Sequence, residues 1–268
     1  MTDIALVYLV AGLSSRFDGK IKQFAEVGPK GETLIEYSLT QALPAGFTKI
    51  IFIVGEKTEQ PFKEMFGDNY NNLPVQYAFQ KFDRNTKKRP WGTLDALCSA
   101  KEILDCPFVV CNGDDIYGPN SFKILVNHLK TKLTDATLGY KLEKVLPDKG
   151  KVNRGIYQIT PDKKVISIKE EIGIEKTNLT QRGISMNALC SMNIFGLQPK
   201  TLDSLLEVLK IFKQQHIDDP QIEALLPEEI TKLIQQRKMI LEIYPATDQW
   251  FGVTCPEDEK IVREQLLS

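Results

Sequence analysis

Histidine is nearly absent from this 268-residue sequence, which holds only His128 and His216. Cysteine is sparse and unpaired: Cys98, Cys106, Cys111, Cys190 and Cys255 are scattered, odd in number and free of any Cys-x-x-Cys spacing. A zinc cluster and a disulfide framework are therefore not expected. Cys98, Cys111 and Cys190 sit in apolar contexts and read as small core residues. No stretch reaches the roughly 18 apolar residues of a membrane span, and Met1-Thr2-Asp3 before a short apolar run lacks the basic start of a signal peptide. A cytoplasmic, reducing compartment and no membrane partner are expected. An excess of one charge is missing too: 34 Lys and Arg face 35 Asp and Glu. That balance gives no global attraction to nucleic acid. Any anion must be met by a local site.

What is present is an alternation of strand-length apolar runs with helical spacing. Residues 4–10 ("IALVYLV"), 49–55 ("KIIFIVG"), 75–79 ("VQYAF") and 107–113 ("PFVVCNG") read as strands buried on both faces. Helical patterns fall between them at 33–43, 58–66 and 93–104. This predicts an α/β fold with a Rossmann-like, mainly parallel sheet flanked by helices. The second half predicts strands at 136–140, 155–159, 165–168 and 188–195, helices at 199–215 and 227–236, a strand at 239–244 and a closing helix from 256. The later strands are expected to mix the sheet and to form a small lid over the carboxyl ends of the earlier ones. One domain is expected, with residues 1–135 as a first half and 136–268 as a second. Two polar, lysine-rich stretches, 145–154 and 174–183, read as loops beside a site.

Ligands of open α/β sheets bind beyond the carboxyl ends of the strands, so strand-ending residues are the informative ones. The first strand runs into "AGLSSRFDGKIKQF". Ala11 and Gly12 let the backbone approach a ligand, Ser14 and Ser15 add small hydroxyls, and Arg16 and Lys22 add charge, as an anion-binding loop requires. No GK[ST] follows, so this is not a Walker A loop, and Ser14 and Phe17 stand where a Rossmann fingerprint has glycines. An ordinary strand-to-helix turn would also read this way. Gln80 ends another strand, and a carboxamide offers both donor and acceptor to a base edge. Gly92 and Thr93 open a helix. The fourth strand ends in "CNGDDIYG", whose Asp114 and Asp115 are either turn residues or oxygen ligands for a hard cation.

In this order, "AGLSSRFDGKIKQF", Gln80 with "PWGTLDAL", "NGDDIYG", "RGIYQI", "SIKEE", "SMNIFG" and "TDQWFGVTCPED" resemble the sugar-phosphate nucleotidyltransferases, whose core is of the glycosyltransferase-A type. The likeness covers almost the whole chain. It implies an enzyme that joins a nucleoside triphosphate to a sugar 1-phosphate, releasing pyrophosphate and forming a nucleoside-diphosphate sugar. By the same resemblance, Gly12, Ser14 and Ser15 would cradle the nucleotide phosphates, Arg16 the departing pyrophosphate and Lys22 the α-phosphate. Gln80 would read the base beside Gly92 and Thr93, Asp114 would hold magnesium, and Gly155, Glu170 and Asn193 would face the sugar.

Two departures stand out. Many members follow the sugar-binding glutamate with lysine, whereas Glu170 precedes Glu171 here. Many also carry a metal-binding Trp-x-Asp, whereas Trp250 precedes Phe251 and Gly252, which leaves Asp248 as the nearest substitute. Three alternatives stay open: cytidylyl transfer to a phosphorylated alcohol or amine, a glycosyltransferase of the same core, and a non-catalytic homologue that binds sugar nucleotides. The base, the acceptor and assembly into a homo-oligomer are not legible.

Overall fold

The computed structural model describes residues 3–12, 17, 20–253 and 256–267. In chain order its elements begin with β1 (Ala5–Leu9), α1 (Leu34–Ala42), β2 (Lys49–Val54), α2 (Glu59–Phe66), β3 (Asn69–Tyr70), β4 (Leu73–Phe79) and α3 (Thr93–Cys98). There follow β5 (Phe108–Asn112), β6 (Asp115–Ile116), α4 (Pro119–Thr131), β7 (Asp135–Lys141) and the short α5 (Leu142–Val145). The chain then adds β8 (Val152–Ile159), β9 (Val165–Ile174), β10 (Leu189–Ser191) and β11 (Phe195–Leu197). It closes with α6 (Pro199–Gln215), α7 (Leu226–Gln235), β12 (Leu241–Pro245), β13 (Phe251–Gly252) and α8 (Pro256–Leu267).

The sheet runs β3-β4-β2-β1-β5-β11-β7-β10-β8-β9, with β12 on β7. β4, β2, β1 and β5 are mutually parallel, and β11 joins β5 in the opposite direction. The result is a mixed sheet with a parallel core, as the βα alternation implies. Every residue of β1 is buried, and its alternate side chains feed two cores. Leu6 and Tyr8 pack with Ile35 and Leu39 of α1, Phe62 and Phe66 of α2, and Phe122 and Leu125 of α4. Ala5, Val7 and Leu9 pack on the other side with Leu97 of α3, Leu205 and Leu209 of α6, and Ile230 and Leu233 of α7. Period-2 strands between two helical layers account for the near-continuous apolar runs. Thr33 opens α1 with a reciprocal cap: its hydroxyl accepts from Glu36 N, and the Glu36 carboxylate accepts from Thr33 N at 2.9 Å. No helix among the described residues is long and apolar enough to cross a membrane.

The structure differs from expectation in four places. The helix expected over 93–104 stops at Cys98, and a separate 3-10 turn follows at Lys101–Ile103. The strand expected over 188–195 is broken between β10 and β11, where Asn193 takes a left-handed φ of 57°. The strands expected over 155–159 and 165–168 lengthen into the β8–β9 hairpin, Val152–Ile159 and Val165–Ile174, which takes up only the edges of the two polar loops. Helix α4 was not expected at all. The second-half strands continue the hydrogen-bonded path of the first-half sheet through the β5–β11 pairing. Cys98, Cys111 and Cys190 are buried, with their thiols pushed up by desolvation, in line with a packing role.

Candidate active site

Parallel pairing in register brings the strand ends together. Leu9 lies opposite Ile53 of β2 and Asn112 of β5, and Gln80 N donates to Val54 O at 2.9 Å. The segments that follow these strands therefore share one edge of the sheet. They wall a cleft of about 580 Å³ into which Ala11, Gly12, Lys22, Gln80 and Asp114 all face. Gly92 and Thr93 complete it, together with Glu223 and Leu225 from the segment before α7. A smaller lobe of about 380 Å³ shares Ala11, Gln80 and Pro90 with the cleft and adds Gly55, Phe79 and Phe82. A Cβ built on Gly12 would meet no atom within 4 Å, so the backbone there borders open space. Ser14, Ser15 and Arg16 lie outside the described residues.

Lys22 sits at the start of a 3-10 turn, Lys22–Phe24, that Phe24 anchors by packing on Phe62 at 4.9 Å between ring centroids. Its ammonium forms an ion pair with the Asp114 carboxylate, and both side chains keep about a fifth of their surface exposed. The neighbouring acid has another part. Asp115 is buried, accepting from Asn112 Nδ2 at 2.9 Å and from the Tyr117 hydroxyl at 3.1 Å. Desolvation, helped by the charge of Asp114, pushes its carboxyl up to about 7 despite those hydrogen bonds. The two adjacent aspartates thus divide: Asp114 faces the cleft and Asp115 braces the turn.

Gln80 is almost fully buried, at 6% exposure. Its amide nitrogen donates to Gly92 O at 3.1 Å and to Asp95 Oδ2 at 2.8 Å, and Lys213 of α6 forms an ion pair with Asp95 Oδ1. Gly92 takes φ 98° and ψ −171°, a conformation essentially reserved for glycine. A Cβ there would lie 2.6 Å from Ala224 O. Thr93 Oγ1 accepts from Leu226 N at 2.9 Å. Both residues thus stitch the cleft wall to the segment before α7 as well as facing the cleft.

The expected sugar-side residues are only partly drawn to the same place. Gly155 pairs with Glu170 across β8 and β9, and Ser191 of β10 lies opposite Gly155 on its other side. Glu170 is raised by burial and then by the nearby charge of Glu228. Asn193 Nδ2 donates to Asn112 Oδ1 at 2.5 Å, which links it through Asn112 to Asp115. Glu171 pairs with Lys169 at 2.6 Å and lies 3.9 Å from Arg182. Asp248 accepts from Asn120 Nδ2 at 2.8 Å and from Ser121 N at 3.0 Å, so both its oxygens are engaged at the start of α4, and it does not line the cleft. Sequence reasoning missed Asn112, Asp95, Lys213 and Glu223. Asn112 was within reach, because it ends β5 beside the acids; Lys213 and Glu223 come from remote elements with no local signal.

A family profile described as nucleotidyl transferase matches residues 18–251. The chain belongs to the nucleotidyl transferase family. No curated protein sequence matches it. Solved structures of the same fold include a Bacillus anthracis protein assigned as a glucose-1-phosphate thymidylyltransferase and crystallised with sucrose, with TM-score 0.72 and 15% identity over 98% of this chain and 95% of that one. UDP-glucose pyrophosphorylase from Acinetobacter baumannii gives 0.68 and 17% over 99% and 93%. CTP:phosphocholine cytidylyltransferase from Streptococcus pneumoniae gives 0.65 and 16% over 98% and 99%. At these identities the likeness is one of fold.

Among the described residues no three His, Cys, Asp or Glu side chains gather into a protein-only metal cage. The donor set of this nucleotidyl transferase family member fits magnesium in its usual manner nonetheless. That ion keeps much of its water and is held by one or two carboxylates plus substrate phosphates, and Asp114 offers such a carboxylate in the cleft.

Proposed function

We propose that this protein transfers a nucleotidyl group from a nucleoside triphosphate to a sugar 1-phosphate, releasing pyrophosphate. The observation that carries the reading is the convergence of Ala11, Gly12, Lys22, Gln80 and Asp114 on one cleft at the carboxyl edge of the parallel strands, in a chain of this family.

The chemistry needs little acid–base help. A phosphate monoester has its second pKa near 6, so the attacking oxygen is already anionic at neutral pH. Neither histidine lines the cleft: His128 is buried between Tyr244 and Thr134, and His216 caps the far end of α6. The protein's task is to align two anions and offset their repulsion. Lys22 and Asp114 neutralise each other in the cleft. An incoming triphosphate would break that pair, its α-phosphate drawing Lys22 and so leaving the Asp114 carboxylate free. Magnesium, when bound, supplies charge neutralisation at the phosphate oxygens, and Asp114 is the residue that would hold it. Arg16 would meet the departing pyrophosphate.

A second reading, cytidylyl transfer to a phosphorylated amine or alcohol, draws on one observation. Glu170 feels the charges of Glu228 and Glu171, with Arg154 opposing them, and two acids beside it would suit a cationic acceptor. The test is pyrophosphate release with magnesium across UTP, CTP, GTP, ATP and dTTP, each against sugar 1-phosphates and phosphorylated amines and alcohols. Release with one sugar 1-phosphate pairing is expected. Release only with an amine or alcohol phosphate would move the assignment to the second reading. Silence throughout, with sugar nucleotides still binding, would refute both in favour of a glycosyltransferase or a non-catalytic homologue.

A further inference from the structure

The orientation of Gln80 is decided by its partners. Gly92 O can only accept a hydrogen bond, and so can a carboxylate such as Asp95. Both receive the Gln80 amide nitrogen, at 3.1 and 2.8 Å. Turned the other way, the carboxamide would set its oxygen against two acceptors, so the assignment of oxygen and nitrogen follows from the surroundings. Asp95 cannot turn aside either. It is 6% exposed, its other oxygen is paired with Lys213, and Lys213 lies 5.7 Å from the face of Trp91. Both amide hydrogens of Gln80 are thereby engaged away from a ligand. Among the described residues the Gln80 oxygen has no hydrogen-bond partner, and the residue borders both lobes of the cleft.

A glutamine free to rotate could present a donor and an acceptor side by side, which suits adenine or cytosine as well as any other base. A glutamine held in this way presents an acceptor alone. The central ring nitrogen of the pairing edge carries hydrogen in uracil, thymine and guanine. In cytosine and adenine it carries a lone pair, which the fixed oxygen would repel.

We propose that Asp95, held by Lys213, is a positioning residue that makes Gln80 a fixed acceptor, so that the cleft selects a nucleotide whose base carries a ring N–H: uracil, thymine or guanine. This rests on the reading that a nucleoside triphosphate occupies the cleft.

The test is equilibrium binding by calorimetry, with magnesium, of UTP, dTTP, GTP, CTP, ATP and base-free tripolyphosphate to the full-length protein, Asp95→Asn and Lys213→Met. The wild type is expected to bind at least one ring-N–H nucleotide roughly tenfold or more tighter than CTP and ATP. An asparagine at position 95 can donate as well as accept, so it releases the lock on Gln80. That ratio is expected to shrink to within about threefold in Asp95→Asn, and to shrink in part in Lys213→Met, with tripolyphosphate affinity unchanged. CTP or ATP binding tightest, an unchanged ratio in folded Asp95→Asn, or a matching loss of tripolyphosphate binding would overturn the inference. Base preference without pyrophosphate release would leave it standing and remove only the proposed reaction. Failure of the wild type to bind any triphosphate would remove the nucleotide reading beneath both.

Discussion

Replacing Gly92 with alanine perturbs fold and cleft together. Gly92 holds φ 98° and ψ −171°, where a side chain costs about 1–3 kcal/mol in backbone strain alone. Its new Cβ would stand 2.6 Å from Ala224 O and 2.9 Å from Ala224 N, backbone atoms that no rotamer change can move. Overpacking of that kind adds about 1–3 kcal/mol. The sum, about 2–6 kcal/mol, corresponds to a melting temperature lower by roughly 4–24 °C in a chain of this size. Relief requires residues 223–225 to retreat, and with them the cleft wall formed by Glu223 and Leu225. It also disturbs the Gly92 carbonyl that receives Gln80. Thermal unfolding read alongside nucleotide affinity should therefore show both falling, with affinity down by about tenfold. A loss of under about 2 °C would refute the geometry at Gly92, and a large loss with unchanged affinity would refute the link to the cleft.

Lys22→Met and Asp114→Asn should each lower turnover by roughly two to three orders of magnitude. Their ion pair still touches water and is worth on the order of 1 kcal/mol to stability, so near-normal rates in either folded variant would remove that residue from the mechanism. Asp135 supplies a pH test. Burial pushes its carboxyl up to about 6, although Gln198 N and Thr201 Oγ1 donate to it. Its folded-state pKa lies above the unfolded one, so its favourable contribution is present below about pH 4 and is lost as pH rises through about 6. In urea unfolding, Asp135→Asn should gain on the wild type by up to about 3 kcal/mol between pH 4 and pH 7; a gap that does not change with pH would contradict this.

The parts of the fold that could be read from the chain are those whose signal is local. β1, β2 and β5 are apolar runs because helices cover both their faces, whereas β4 buries only Val75 and Ala78, and the ends of all four named most of the cleft residues. Helix α4 carries Phe122, Leu125, Val126 and Leu129 at helical spacing, and that signal was there to be seen. Its N-cap, Gly118, has no side chain to cap with, and the Ser121 amide is instead satisfied by Asp248, more than a hundred residues away. The β8–β9 hairpin was shortened in the reading because pairs such as Lys169 with Glu171 make its outer face look like loop. Which of two adjacent aspartates faces the cleft is likewise tertiary information, since Asn112 and Tyr117 hold Asp115 inward. The orientation of Gln80 depends on Asp95 and on Lys213 from α6, which no window around Gln80 contains.

Following the phosphorus atoms tests the central claim most directly. The preferred nucleotide, labelled in turn at the α- and γ-phosphate, is incubated with magnesium and the acceptor that supports pyrophosphate release. Nucleotidyl transfer predicts the α-label in a product joined to the acceptor and the γ-label entirely in pyrophosphate. A γ-label in the acceptor or in free orthophosphate, or an α-label released as free nucleoside mono- or diphosphate, would contradict it.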